Sequence, residues 1–176
     1  LRSGTITELF GGPGRGKTAH CIAATAAVAV GVRDVRRSEG VGKRSVIFLR
    51  SSSIPIGDRL FSCLNRHLGD NDAAVGEAAG RVEEMGICGP LELLDVLRGL
   101  EVRGKEKPWL LVVDSLASLL SPAMAGVAVG DGKKRVGKLG FSIVARVAAL
   151  LRRLSGEFGI SILVTNNETG GKGESS

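Results

Sequence analysis

Residues 11–18 read Gly-Gly-Pro-Gly-Arg-Gly-Lys-Thr, and no other stretch restricts the possible folds of this chain as strongly. They fit G-x-x-x-x-G-K-[ST], with Gly11, Gly16, Lys17 and Thr18 in the fixed places and Gly12, Pro13, Gly14 and Arg15 between them. The pattern is a phosphate-binding loop whose parts have separate jobs. Glycines reach backbone conformations closed to residues with a Cβ, so their N–H groups can turn inward around phosphate oxygens. A helix that follows adds the positive end of its dipole. Lys17 is expected to reach the β- and γ-phosphates of ATP, and Thr18 to set its hydroxyl on Mg2+. The bland alternative is a glycine-rich turn before a chance Lys-Thr. The flanks argue against it, because residues 5–10 are β-prone and residues 17–30 are alanine-rich without proline or glycine.

Further strands follow the same logic. Residues 109–113, Trp-Leu-Leu-Val-Val, form the clearest one, and it ends in Asp114-Ser115. A hydrophobic strand that delivers a carboxylate at its C-terminal edge looks like a Walker B element, in which the aspartate holds Mg2+, largely through water. An ordinary turn aspartate is the other reading, and the upstream loop favours the metal role. Residues 45–49 and 160–165 are apolar runs suited to a parallel sheet buried on both faces. The second of them delivers Asn166 and Asn167. Helical periodicity marks residues 57–68, with Leu60, Phe61, Leu64 and Leu68 on one face. It also marks residues 91–100 after Pro90, and residues 141–154. Residues 81–88 are a weak strand, and residues 31–44 and 69–80 read as surface connections. Strands alternating with helices predict a single α/β domain with a mainly parallel sheet flanked by helices. Its ligand should lie at the strands' C-terminal ends.

Composition narrows the class. The chain is 43% hydrophobic and 24% charged, so neither disorder nor a disulfide scaffold fits. Cys21, Cys63 and Cys88 make no C-x-x-C pair, which suggests neither zinc nor a redox site. His20 shares no motif with them and is expected on a helix surface. A net charge of +6 suits a polyanion such as nucleic acid. Residues 123–140 are expected to form a loop carrying Lys133, Lys134, Arg135 and Lys138, which can track a phosphate backbone or simply be solvated. No signal peptide or membrane span is evident. The start at Leu1 and the Gly/Ser-rich end suggest a core excised from a longer protein.

Three segments together resemble the RecA-type recombinase family: residues 3–18, Asp114 to Pro122 (Asp-Ser-Leu-Ala-Ser-Leu-Leu-Ser-Pro), and Leu151 to Asn166. The likeness covers nearly the whole chain. It is to the eukaryotic recombinase paralogs, within them closest to the D-type. It implies a RecA-like P-loop NTPase core, cut short on its C-terminal side, with ATP and Mg2+ as ligands. It further implies nuclear work in homologous-recombination repair, contact with single-stranded or branched DNA, and a hetero-oligomeric complex with other paralogs. Active recombinases carry a glutamate after the second strand. Here Ser52 falls in that place, with Arg50 where an aspartate is usual, so the resemblance implies ATP binding with slow hydrolysis at most. Asn166 or Asn167 falls where the family places a γ-phosphate sensor, normally a glutamine. The competing expectations are a DNA-stimulated ATPase with an acid supplied from elsewhere, an unrelated P-loop kinase, and a scaffold that binds no nucleotide.

Overall fold

The computed structural model of the protein describes residues 1–31, 45–69, 71–103, 107–125, 127–128, 134–135 and 137–167. Five parallel strands form the central sheet in the order β1-β7-β4-β2-β3. They are β1 (Ile6–Gly11), β2 (Val46–Arg50), β3 (Val82–Gly86), β4 (Leu110–Asp114) and β7 (Ser161–Asn167). The three inner strands are those read as unbroken apolar runs, and each is buried on both faces until its last one or two residues. The outer two alternate between exposed and half-buried positions or nearly so. In β1, Ile6 and Phe10 are exposed, as an edge strand with one uncovered face allows.

Helices cover the sheet on both sides. α1 (Lys17–Val30), α2 (Gly57–Leu68) and α3 (Asp72–Ala79) pack against Val46, Phe48, Leu110, Val112 and Leu163. On the other side, α4 (Pro90–Val102), α5 (Leu116–Met124) and α6 (Lys138–Gly156) enclose Ile47, Leu49, Leu111, Val113, Ile162 and Val164. The alternation along each strand therefore assigns successive side chains to two separate aliphatic cores. This is the α/β architecture with a helix-flanked parallel sheet, consistent with a RecA-like core.

Several local expectations change. Residues 69–80 contain α3, which is capped by Asn71: its Oδ1 accepts from Ala74 N at 3.1 Å. Val75 and Ala78 are buried against the first core, so the helix runs through Gly76 and ends at Gly80. α5 lies directly after Asp114-Ser115, whose peptide bond is cis. Ser115 caps this helix through its hydroxyl, which accepts from Ser118 N. Phe61 is exposed, because Leu60 and Leu64, one turn apart, take the buried stripe of α2. Within residues 123–140, a two-stranded antiparallel ladder pairs β5 (Val127–Ala128) with β6 (Lys134–Arg135).

Candidate nucleotide-binding site

Sheet register brings the strand ends together. β2 and β4 are paired so that Arg50 lies opposite Asp114, and β4 adjoins β7. Backbone and side-chain bonds then lock the ends. Ser51 N donates to Asp114 O at 2.7 Å, and Ser115 N donates to the Ser51 hydroxyl at 3.1 Å. Beside this edge the phosphate loop turns from β1 into α1. Gly14 and Gly16 hold φ of +73° and +81°, the left-handed region that favours glycine. Gly16 is the N-cap of α1, with no side chain accepting from the helix and no acid in its first turn. The first amides of α1 are thus left to an outside acceptor.

The loop, the strand ends and α2 enclose a cleft of about 430 Å3, a size suited to a small-molecule ligand. Pro13 to Ala19 line one wall. Ser51, Ser52 and Arg59 contribute from β2 onward, Asp114, Ser115 and Ser118 from β4 and α5, and Asn167 from β7. Lys17 donates to the carbonyls of Gly11 and Gly12 at 2.7 and 2.9 Å, so its ammonium is held against the loop. Asp114 is the junction of the site. Its Oδ2 accepts from the Thr18 hydroxyl at 2.6 Å, and its Oδ1 accepts from the Thr165 hydroxyl at 2.5 Å. One carboxylate so joins the loop helix to two neighbouring strands.

This donor set fits a magnesium nucleotide. Glycine amides and Lys17 match phosphate oxygens, while Thr18 and Asp114 offer hard oxygen ligands. Among the described residues no group of three or more His, Cys, Asp or Glu converges. A Mg2+ ion here would accordingly draw most of its ligands from phosphate and water, as that ion commonly does.

The other expected positions divide. Ser52 is exposed and lines the cleft. Arg50 donates to its carbonyl, and also to Glu84 Oε1 on β3 at 2.6 Å. Ile56 N donates to the same Glu84 oxygen at 3.1 Å. The acid nearest this segment on the neighbouring strand is thereby committed to an ion pair. Asn167 lines the cleft, but Asn166 does not. The Asn166 amide ties β7 to its neighbours: its oxygen accepts from Ala117 N at 3.0 Å, and its nitrogen donates to Glu8. Lys133 lies outside the described residues. Lys134 and Arg135 form β6, and Lys138 is exposed where α6 begins. His20 is exposed on α1, with Nδ1 3.0 Å from Gly16 O. Sequence reasoning missed Arg59, Ser115, Ser118 and Thr165. Ser115, Ser118 and Thr165 had a signal, since each lies beside a strand end within a segment that carries the resemblance, whereas Arg59 had none.

Cys21, on α1, is fully buried. Burial first, and the charge of Asp114 second, push its thiol from 9.0 to about 12. The neutral thiol therefore favours the fold below pH 9, and its contribution is lost as pH rises toward 12. Urea unfolding between pH 8 and 11 should show this loss, and Cys21→Ala should flatten it. At pH 8 a thiol reagent should label exposed Cys88 quickly and leave Cys21 untouched until unfolding.

No protein-family model matches the chain. Among curated proteins it is similar to DNA repair protein RAD51 homolog 4 of Bos taurus, at 25% identity over 176 residues, covering 96% of this chain and 48% of the relative. The Mus musculus protein of the same name is also 25% identical, over 175 residues, with 96% and 47% covered. The chain spans about half the length of these relatives. This distant likeness supports the RecA-type resemblance carried by the motifs, and both relatives are, by name, DNA repair proteins. No described helix is long and apolar enough to cross a membrane.

Proposed function

We propose that this chain is an ATP-binding RecA-family protein of DNA repair by homologous recombination, acting as a nucleotide-gated mediator with slow hydrolysis. The observation that carries this reading is the Thr18–Asp114–Thr165 junction beside the phosphate loop. Lys17, Arg15 and the amides of Gly11, Gly12, Gly14 and Gly16, around Pro13, would hold the phosphates. Thr18 and Asp114 would orient Mg2+, and Asn167, which lines the cleft as Asn166 does not, would report the nucleotide state. Bound ATP would supply a terminal phosphate whose presence marks one state of the site.

Slow turnover follows from the carboxylate inventory. Asp114 is the one acid among the described residues that line the cleft, and both of its oxygens already accept hydrogen bonds. Ser52 carries a hydroxyl where the resemblance implies a glutamate. A positioned general base contributes roughly 10²–10⁴-fold in rate, and that factor is what this cleft would forgo.

The partners in this reading are single-stranded or branched DNA, met by Lys133, Lys134, Arg135 and Lys138, and other recombinase paralogs in a hetero-oligomer. Its place of work is the nucleus. The net charge of +6 supports the contact with DNA, and the relatives' name, DNA repair protein, supports the repair setting. The test is phosphate release from Mg·ATP with and without single-stranded DNA, with melting recorded on the same samples. ATP at about 100 times Kd should add about 2.7 kcal/mol, with little phosphate released. Fast, DNA-stimulated release would overturn the slow-hydrolysis reading and point to an acid outside the described residues. Transfer of phosphate to a small acceptor would point to a kinase, and absence of stabilisation to a scaffold.

A further inference from the structure

We propose that Arg50 and Glu84 form a positioning clamp that holds one wall of the nucleotide cleft in its binding shape from outside the cleft. The inference rests on the nucleotide-binding reading above and deepens it. Residues 51–56 join β2 to α2, and Ser51 and Ser52 of this segment line the cleft. The clamp grips the segment at both ends. Near its start, the Arg50 guanidinium donates to the Ser52 carbonyl. At its end, Glu84 Oε1 accepts from Ile56 N at 3.1 Å, and Ile56 is the N-cap residue of α2. The same oxygen accepts from Arg50 Nε at 2.6 Å, which closes the grip into one unit. Neither Arg50 nor Glu84 lines the cleft, so the pair acts on the wall and not on the ligand.

The surroundings fix this unit. The two side chains are 18% and 22% exposed, so parting them would leave each charge largely shielded from water and without its partner. In the β2–β3 register Gly86 lies opposite Arg50, and the guanidinium rests on it. A Cβ at Gly86 would stand 3.1 Å from one guanidinium nitrogen and 3.3 Å from its central carbon. An arginine suits the task because its rigid fork donates in two directions at once. The wall it holds is tied to the centre of the site, since Ser51 N donates to Asp114 O and the Ser51 hydroxyl accepts from Ser115 N. A wall set before the ligand arrives raises affinity, because apparent affinity scales with the fraction of molecules in the competent shape.

Two measurements on the whole chain, both well below its melting temperature, test the clamp. One is amide exchange at Ile56 without nucleotide, and the other is the Kd for Mg·ATP from a fluorescent analogue. Glu84→Ala should speed the exchange about tenfold and weaken Mg·ATP by about the same factor. Glu84→Gln keeps an acceptor for both donors and should recover most of the affinity. Arg50→Ala combined with Glu84→Ala should weaken binding no more than either alone, as parts of one unit do. Glu83→Ala breaks the adjacent β3 ion pair, to Arg103, and should change neither reading. Should the alanine variants unfold, Gly86→Ala decides by the same two readings, because it removes no donor or acceptor and only displaces the guanidinium. Unchanged exchange, faster exchange with unchanged affinity, or single losses that add in the double variant overturns the clamp while leaving nucleotide binding intact. A wild-type chain that binds no Mg·ATP overturns the nucleotide reading and the clamp with it.

Discussion

Lys17→Ala is expected to weaken Mg·ATP binding by about 100-fold or more, and to erase nucleotide-dependent stabilisation at millimolar ATP. Lys17 holds its ammonium beside the loop through the Gly11 and Gly12 carbonyls, at the mouth of α1. A hydrogen bond to a charged group is worth about 1.5–3 kcal/mol, and about 1.4 kcal/mol is tenfold in affinity. Two such contacts to phosphate therefore reach 100-fold. The nucleotide-free protein should melt nearly as before, because Lys17 is only half-buried and water can solvate the two carbonyls. Fluorescent nucleotide titration beside thermal melting separates the two effects. Unchanged affinity would remove the phosphate loop from the site.

Asp114→Ala is expected to destabilise the nucleotide-free fold and to remove the proposed Mg2+ ligand. It strands two hydroxyls that now donate to one carboxylate, and Thr165 is fully buried. Each unsatisfied group costs about 1–3 kcal/mol. A loss of about 2 kcal/mol lowers the melting temperature by about 4–8 °C in a chain of this size. Asp114→Asn keeps an acceptor oxygen and should recover part of that stability, yet it lacks the charge that favours Mg2+. The decisive reading is the Mg2+ dependence of nucleotide binding, which both variants should lose. Asn at full stability and full Mg2+ dependence would make Asp114 a purely structural anchor.

How much of this was legible in the sequence follows from how local each signal is. β2, β4 and β7 announce themselves because strands buried on both faces must be apolar throughout. The loop of residues 11–18 is legible because glycine, lysine and threonine stand at the fixed spacing of a known motif. α3 was not, since its cap at Asn71 and its short buried stripe, Val75 and Ala78, sit among glycines and acids that read as loop. α5 carries Pro122 and follows a strand end, which masked its periodicity. Within the site, Asp114 was visible from its strand, whereas Arg59 was not. Nothing along the chain tells which exposed arginine of α2 borders a cleft that draws on residues 13–19, 51, 52, 114, 115, 118 and 167; that is a property of the packing of α2 beside the loop and the strand ends. The pairing of Arg50 with Glu84 depends likewise on β3 lying next to β2, a matter of strand order.

Strand order also has a kinetic meaning. β1 has its ladder partner in β7, with Ile6 opposite Ile162. The Asp114 junction bridges positions 96 and 51 residues apart. Contacts of such sequence separation must bear loop-closure entropy before they return any energy, so they form late. At ordinary synthesis rates the phosphate loop waits roughly 8–30 s for the strand beside it to be made. Until β7 is in place, Asp114 lacks Thr165 and β1 lacks its ladder. In the proposed function, nucleotide capture would thus be a property of the finished sheet. A ligand that needs the assembled cleft should leave the folding rate nearly unchanged and slow unfolding instead.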